Sequence, residues 1–124
     1  KLYWSDTGLA LYLAGETEPR GPHLANLILG DLLAGQAEQI EMVDLAYWRT
    51  TTGEEVDFVV ESAGRVLPIE VKSSARLRRG DSRGVATFLD EYADRASAGL
   101  VLHTGSQMSW VRERVLAAPW WRVL

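Results

Sequence analysis

The pattern of apolar and polar positions predicts two helices in the N-terminal third of the chain. Asp6 or Thr7 can cap a short helix over residues 8–14, and Gly15 ends it. A loop over residues 16–22 follows, because it contains Pro and Gly between charged residues. Apolar residues then recur at helical spacing and predict an amphipathic helix over residues 22–34, which Gly35 stops. These residues are Leu24, Leu27, Ile28 and Leu32.

The middle of the chain has the pattern of strands. Residues 43–50, 54–61 and 65–73 each predict one, with turn signals at Thr52-Gly53 and Ala63-Gly64, so the three strands form a meander. A helix over residues 82–96 and a small apolar strand over residues 97–103 follow. Residues 108–124 predict only a final strand or short helix. The order is therefore α-α-β-β-β-α-β with a tail.

The second hairpin sets which residues face each other. A two-residue turn at Ala63-Gly64 places Asp57 opposite Glu70, and Glu55 opposite Lys72. Opposed Cβ atoms lie about 4.5–5.5 Å apart, and the alternation of side chains puts these four charged groups on one face. The other face is apolar and is expected to lie on the core. It carries Val56, Phe58, Val60, Leu67, Ile69 and Val71.

Two opposed carboxylates indicate a cation site. They repel each other, whereas Mg²⁺ or Mn²⁺ prefers oxygen ligands, so Asp57 and Glu70 are predicted metal ligands, with the Val71 carbonyl as a further oxygen. Lys72 could orient or deprotonate an attacking water, or stabilise a pentavalent phosphate, and Glu55 is predicted to support the metal ligands from beside them. The alternative is a solvent-facing hairpin with structural ion pairs. A carboxylate that faces a carboxylate argues against it.

Composition and charge narrow the expected partners and location. The chain has 124 residues and a formal net charge of −4, so its surface as a whole does not attract nucleic acid. Residues 65–83 are an exception, with six basic and two acidic residues, and the arginines after the third strand are predicted to hold phosphates. These are Arg76, Arg78 and Arg79. Cysteine is absent and no apolar run approaches the roughly 18 residues of a membrane span, so a cytoplasmic protein with no membrane contact is expected.

These residues resemble a known group of proteins. Asp57 followed by Glu70-Val71-Lys72 resembles the D…(D/E)xK signature of the PD-(D/E)xK nuclease superfamily, with Val56 where the superfamily name has Pro. A longer pattern looks like the domain of unknown function found at the C-terminus of many prokaryotic AAA-type ATPases. It comprises Lys1-Leu2-Tyr3, Asp6-Thr7-Gly8-Leu9, Asn26, Tyr47-Trp48-Arg49-Thr50, Glu55-Val56-Asp57-Phe58 and Ile69-Glu70-Val71-Lys72-Ser73-Ser74.

The resemblance implies a restriction-endonuclease-like core, an α/β fold in which helices flank a mixed sheet that contains the three-strand meander. It also implies that residues 1–124 are one nuclease-like domain, a C-terminal fragment of a longer protein whose AAA-type ATPase domain is its partner. The family usually has a Glu before the Asn of the first core helix, where this chain has Ala25 before Asn26. Two functions therefore stay open. One is a Mg²⁺- or Mn²⁺-dependent nuclease acting on DNA, and the other is a non-cleaving module that binds DNA or protein and regulates the ATPase.

Overall fold

The computed structural model describes residues 1–38 and 42–124, which form three α-helices and a mixed sheet of six strands. The helices are α1 (Thr7–Ala14), α2 (Gly21–Glu38) and α3 (Arg83–Glu91), and a short 3₁₀ turn spans Trp120–Arg122. The strands are β1 (Val43–Arg49), β2 (Glu55–Ser62), β3 (Arg65–Lys72), β4 (Gly99–His103), β5 (Ser109–Arg112) and β6 (Val115–Pro119). The predicted order of the first seven elements is confirmed. The tail forms two strands and a turn instead of one element.

Local signals set both ends of α1 but not the end of α2. The Asp6 carboxylate accepts a hydrogen bond from the Leu9 N–H at 2.9 Å, and Gly15 closes the helix with a φ of 66°. The sequence predicts a stop at Gly35, yet α2 continues to Glu38. A glycine inside a helix costs only about 1 kcal/mol, which the burial of Leu24 and other residues of α2 can offset.

The helix α3 is shorter than the predicted span of residues 82–96. It ends at Glu91, and the chain then turns so that the Arg95 carbonyl accepts a hydrogen bond from the Val66 N–H of β3 at 3.1 Å. The Ala96 N–H bonds back to the Tyr92 carbonyl at 2.8 Å. The bond from Val66 satisfies a carbonyl that a longer helix would have used, so the chain leaves the helix without losing this hydrogen bond.

The strand order in the sheet is β1-β2-β3-β4-β6-β5. The first three strands form the predicted antiparallel meander, β3, β4 and β6 run parallel, and β5 runs antiparallel to β6. Ala63 and Gly64 have φ angles of 50° and 77°, which suit a two-residue hairpin turn. The predicted register is confirmed from Ser62↔Arg65 to Phe58↔Ile69.

Apolar clusters lie on both faces of this sheet. One cluster joins α2 to Phe58, Ile69 and Val71, with Val60 and Leu67 partly buried beside it. The other joins α3 to β2, β3, β4 and β6, and it contains Val56. The prediction that Val56 shares a face with Phe58 is therefore wrong.

A β-bulge explains the position of Val56. Along β1, Ala46 pairs with Val59 and Trp48 pairs with Val56, so β2 has one more residue than β1 between these two pairs. An extra residue in one strand reverses the alternation of side chains at that point. Asp57 lies inside the bulge, so its side chain does not follow simple alternation.

Beyond Phe58 and Ile69 the sheet divides into two halves. β2 stays paired with β1 as far as Arg49↔Glu55, and β3 stays paired with β4 as far as Lys72↔His103. Between β2 and β3, however, the ladder of the described residues ends at Phe58↔Ile69. We call the gap between residues 55–57 and residues 70–72 the fork. The predicted pairs Asp57–Glu70 and Glu55–Lys72 fall in the fork and are not ladder pairs.

The length and apolar character of the helices decide whether any of them could cross a membrane. Within residues 1–38 and 42–124, no helix combines the length and the apolar character that crossing a bilayer requires.

Candidate functional site

A cavity of about 730 Å³ opens at the fork. Its charged wall is formed by Glu55 and Asp57 from β2 and by Glu70 and Lys72 from β3. The facing wall is largely apolar and comes from residues 1–4, α1 and the beginning of α2. The structure thus brings together the four charged residues that the sequence predicts to share a face, in a volume typical of a small-ligand site.

The Asp57 carboxylate is oriented by two donors. Its Oδ2 atom accepts a hydrogen bond from the Val71 N–H at 2.9 Å, and its Oδ1 atom contacts the Lys1 ammonium group. Lys1 Nζ also lies 3.7 Å from the Glu55 carboxylate. Burial opposes the charge of Lys1, but its hydrogen bond with Asp57 and the nearby carboxylates prevail and raise the pKa of Lys1. Asp57 is therefore fixed by one backbone amide and one cationic side chain.

Glu70 is buried, and only one of its two carboxylate oxygens has a polar partner among the described residues. Its Oε1 atom lies 2.8 Å from Lys72 Nζ, while its Oε2 atom is buried and has no hydrogen-bond partner among the described residues. Burial and the negative charge of Asp57 raise the pKa of Glu70 to about 7, and the neighbouring Lys72 offsets only part of this shift. A buried oxygen without a partner carries its full desolvation penalty. Its position suits a cation or a donor supplied by a ligand.

Lys72 remains cationic at this position. Burial disfavours the ammonium group, but the ion pair with Glu70 and the charges of Asp81 and Asp57 outweigh it, so the pKa of Lys72 lies above its ordinary value. A lysine with a raised pKa is a hydrogen-bond donor and a fixed positive charge at neutral pH. The site therefore contains two ammonium groups, Lys1 and Lys72, beside its three carboxylates.

Sequence reasoning missed the role of the N-terminal segment, residues 1–4. The buried Asn26 side chain accepts a hydrogen bond from the Trp4 N–H at 2.6 Å and donates to the Trp4 carbonyl at 2.9 Å and to Thr7 Oγ1 at 2.8 Å. These bonds hold the segment against α2 and bring Lys1 to Asp57. Lys1 and Asn26 both belong to the longer pattern that resembles the ATPase-linked domain, but their spacing alone does not show that they act together.

The basic loop, residues 76–79, follows the end of β3 by a few residues. Its three arginine side chains are exposed, and no ion pair within the described part of the chain involves them. They are Arg76, Arg78 and Arg79. Local bonds order the loop backbone, since Ser74 Oγ donates to the Arg76 carbonyl at 2.7 Å and the Arg78 N–H donates to Asp81 at 2.6 Å. The loop thus presents positive charge to solvent a few residues after Lys72, although none of its arginines lines the cavity.

The two buried carboxylates fit part of a divalent-cation site. Mg²⁺ is commonly held by one or two carboxylates with waters and a substrate phosphate. Asp57 and Glu70 meet this minimum, and the unpartnered Glu70 Oε2 is an oxygen ready for a ligand bond. Among the described residues, however, no three His, Cys, Asp or Glu side chains are grouped to hold a metal. Ala25 lines the same cavity, so an acidic side chain at this position would add a carboxylate to those of Glu55, Asp57 and Glu70.

Comparison with known proteins gives one match. The model of a family described as "Domain of unknown function (DUF4143)" matches residues 20–123. No curated protein and no solved structure matches the chain. The matched range includes Asp57, Glu70, Lys72 and the basic loop, whereas Lys1 lies before it.

Proposed function

Since the chain belongs to the DUF4143 family of domains of unknown function, we propose a function from the site itself, namely divalent-cation-dependent hydrolysis of DNA phosphodiesters, or binding of DNA, by a nuclease-like domain. One observation carries this proposal. Asp57 and Glu70, from neighbouring strands, line one cavity with the cationic Lys72. The proposal includes a restriction-endonuclease-like core, in which this set corresponds to the D…(D/E)xK signature, and Mg²⁺ or Mn²⁺ as the cofactor.

The residues of the site have separate roles in this proposal. Asp57, oriented by the Val71 N–H, and Glu70, through its unpartnered Oε2, would hold the cation. The bound cation would neutralise these carboxylates and polarise a phosphate oxygen. Lys72 would stabilise the negative charge that builds on the phosphate as a water oxygen bonds to phosphorus and the ester P–O bond breaks. The attacking water would lose its proton to solvent, and the leaving ester oxygen would take a proton from solvent to become a hydroxyl group. The raised pKa of Lys72 favours this electrostatic role over that of a general base.

The basic loop supports DNA as the ligand. Its exposed arginines lie near the end of β3, on a chain whose net charge is −4. Six of the thirteen Lys and Arg residues lie within residues 65–83, and such a concentration on an acidic body directs a polyanion to that place. Contacts of guanidinium groups with phosphates position DNA without reading its sequence, so we expect binding with little sequence preference.

The residue at position 25 favours a second function, in which the fold binds but does not cleave. Ala25 leaves the cavity with two buried carboxylates, and no group of three ligands exists among the described residues. Large apolar side chains are also exposed beside the cavity, on residues 1–4 and α1, where a protein partner can contact them. They include Leu2, Trp4, Tyr12 and Leu13. In this alternative the domain binds DNA or protein and regulates a linked AAA-type ATPase, which the resemblance suggests.

A titration with Mg²⁺ and Mn²⁺, followed by calorimetry, tests the cation site. Wild type should bind Mn²⁺, Asp57→Ala should lose this binding, and Asp44→Ala should retain it, because Asp44 is an exposed carboxylate on the neighbouring strand β1. Equal binding by all three proteins would place the metal elsewhere and contradict the proposal.

Plasmid cleavage with the same proteins separates the two functions. If the domain is a nuclease, Lys72→Ala should abolish cleavage while DNA affinity stays close to that of wild type. Cation-independent DNA or protein binding, with no cleavage by wild type or by Ala25→Glu, would favour the regulatory module.

A further inference from the structure

Lys1 contacts the same carboxylate that the proposed metal site requires. Its ammonium group bonds to Asp57 Oδ1, and the other oxygen, Oδ2, already accepts the Val71 N–H. The Lys1 side chain is 30% exposed and the Asp57 side chain 13%, so the pair is partly shielded from water. Of the two Asp57 oxygens, the one without a backbone donor is therefore the one that Lys1 uses.

A cation on Asp57 Oδ1 would meet Lys1 directly. Mg²⁺ lies about 2.1 Å from its ligand oxygens, so an ion on Oδ1 would lie within roughly 5 Å of the ammonium nitrogen. Two positive charges at this separation repel each other strongly in a partly buried site. The Asn26 side chain holds Trp4 from both its N–H and its carbonyl, which keeps Lys1 near the site.

We propose that Lys1 is an internal counter-cation, whose ammonium group and a divalent cation bind Asp57 in mutual exclusion. The N-terminal segment thereby lowers the affinity of the site for metal. Glu55, 3.7 Å from Lys1 Nζ, gives the displaced ammonium a second carboxylate, so metal binding does not leave it unpaired. This inference rests on the proposed cation site at Asp57 and Glu70.

The test compares Mn²⁺ affinity, measured by calorimetry on the full chain at one ionic strength, among variants of Lys1. Lys1→Met and Lys1→Gln remove the charge and should lower the Kd for Mn²⁺ by about tenfold or more. Lys1→Arg keeps the charge and should leave the Kd within about twofold of wild type. Arg114→Met is the matched control, because it removes one positive charge from an ion pair with Asp90 outside the site. It should also leave the Kd unchanged.

The outcomes distinguish this inference from the proposed function. Tighter binding in both neutral variants, or binding only in them, supports displacement of Lys1. If the neutral variants bind like wild type or more weakly, while Asp57→Ala still abolishes binding, the counter-cation role is refuted and the metal site stands. If neither wild type nor any Lys1 variant binds Mn²⁺, both the metal site and this inference are overturned. Circular dichroism of each variant confirms that it is folded.

Discussion

The burial of Glu70 should make the protein less stable as pH rises, and Glu70→Gln tests this expectation. The pKa of Glu70 is about 7 in the folded chain, compared with an ordinary value of 4.5. Between these values the folded state binds more protons than the unfolded state, so the free energy of unfolding falls with increasing pH. One pKa unit corresponds to about 1.4 kcal/mol. The ionised carboxylate should therefore cost about 3 kcal/mol at pH 8 and about 1 kcal/mol at pH 5.

Urea denaturation of wild type and Glu70→Gln at pH 5 and pH 8, without divalent cations, measures the effect. Gln has nearly the same shape as Glu and never ionises, so the variant should gain stability over wild type by about 2 kcal/mol more at pH 8 than at pH 5. Glu54→Gln is a control of opposite sign. A hydrogen bond from Thr87 and the neighbouring Arg83 lower the pKa of Glu54, so its ionised form is favoured in the folded chain. Glu54→Gln should therefore lose stability at pH 8.

Two results would refute the reasoning. If the difference between wild type and Glu70→Gln is the same at both pH values, Lys72 fully compensates the buried charge of Glu70. If Glu70→Gln is less stable than wild type at pH 8, the carboxylate stabilises the fold and its unpartnered oxygen has no energetic cost. If Mg²⁺ binds at Asp57 and Glu70, saturating Mg²⁺ should also stabilise wild type. The difference in the free energy of unfolding between wild type and Glu70→Gln should then become smaller.

Three further predictions concern the basic loop, position 25 and the packing of α3. Replacing all three loop arginines (76, 78 and 79) by Ala should weaken DNA binding. It should also lower the slope of log affinity against log salt concentration by about 0.9 for each phosphate that the loop neutralises, as measured by fluorescence anisotropy across a salt series. An unchanged slope would mean that the loop touches no phosphate. Ala25→Glu should tighten Mn²⁺ binding by about tenfold in calorimetry, because it adds a carboxylate to the cavity; no gain would mean that this position does not reach the cation. Gly84→Ala should destabilise the fold by about 1–3 kcal/mol in urea denaturation, since the added Cβ would lie 2.2 Å from the Glu55 carbonyl oxygen. Gly80→Ala, with open space around the added Cβ, should not, and equal stability of the two variants would contradict the close approach of α3 to β2.

Features with strong local signals could be predicted from the sequence. The Ala63-Gly64 dipeptide predicts a hairpin turn, and both residues adopt the positive φ angles that such a turn needs. That turn fixes the register as far as Phe58↔Ile69 and so brings Asp57 near Glu70. The caps of α1 follow in the same way from Asp6 and Gly15.

Features that depend on distant partners could not be predicted in this way. The bulge at Asp57 arises from the pairing of β2 with β1, and the apolar pattern of β2 alone gives the wrong face for Val56. The contact of Lys1 with Asp57 joins residues 56 positions apart, through hydrogen bonds that Asn26 makes with Trp4. Periodicity describes one element at a time and contains no information on such contacts.

The fork also determines how the site can adjust its width. The carboxylates of Asp57 and Glu70 belong to different halves of the sheet, and each half keeps its own ladder, to β1 on one side and to β4 on the other. Small pivoting of the halves about the Phe58↔Ile69 pair would change the separation of the carboxylates while both ladders remained intact. In the described chain, the main polar link across the gap is the bond from the Val71 N–H to Asp57. A site built in this way would widen or narrow at the cost of few hydrogen bonds, whereas a site on a continuous sheet would have to break a row of them.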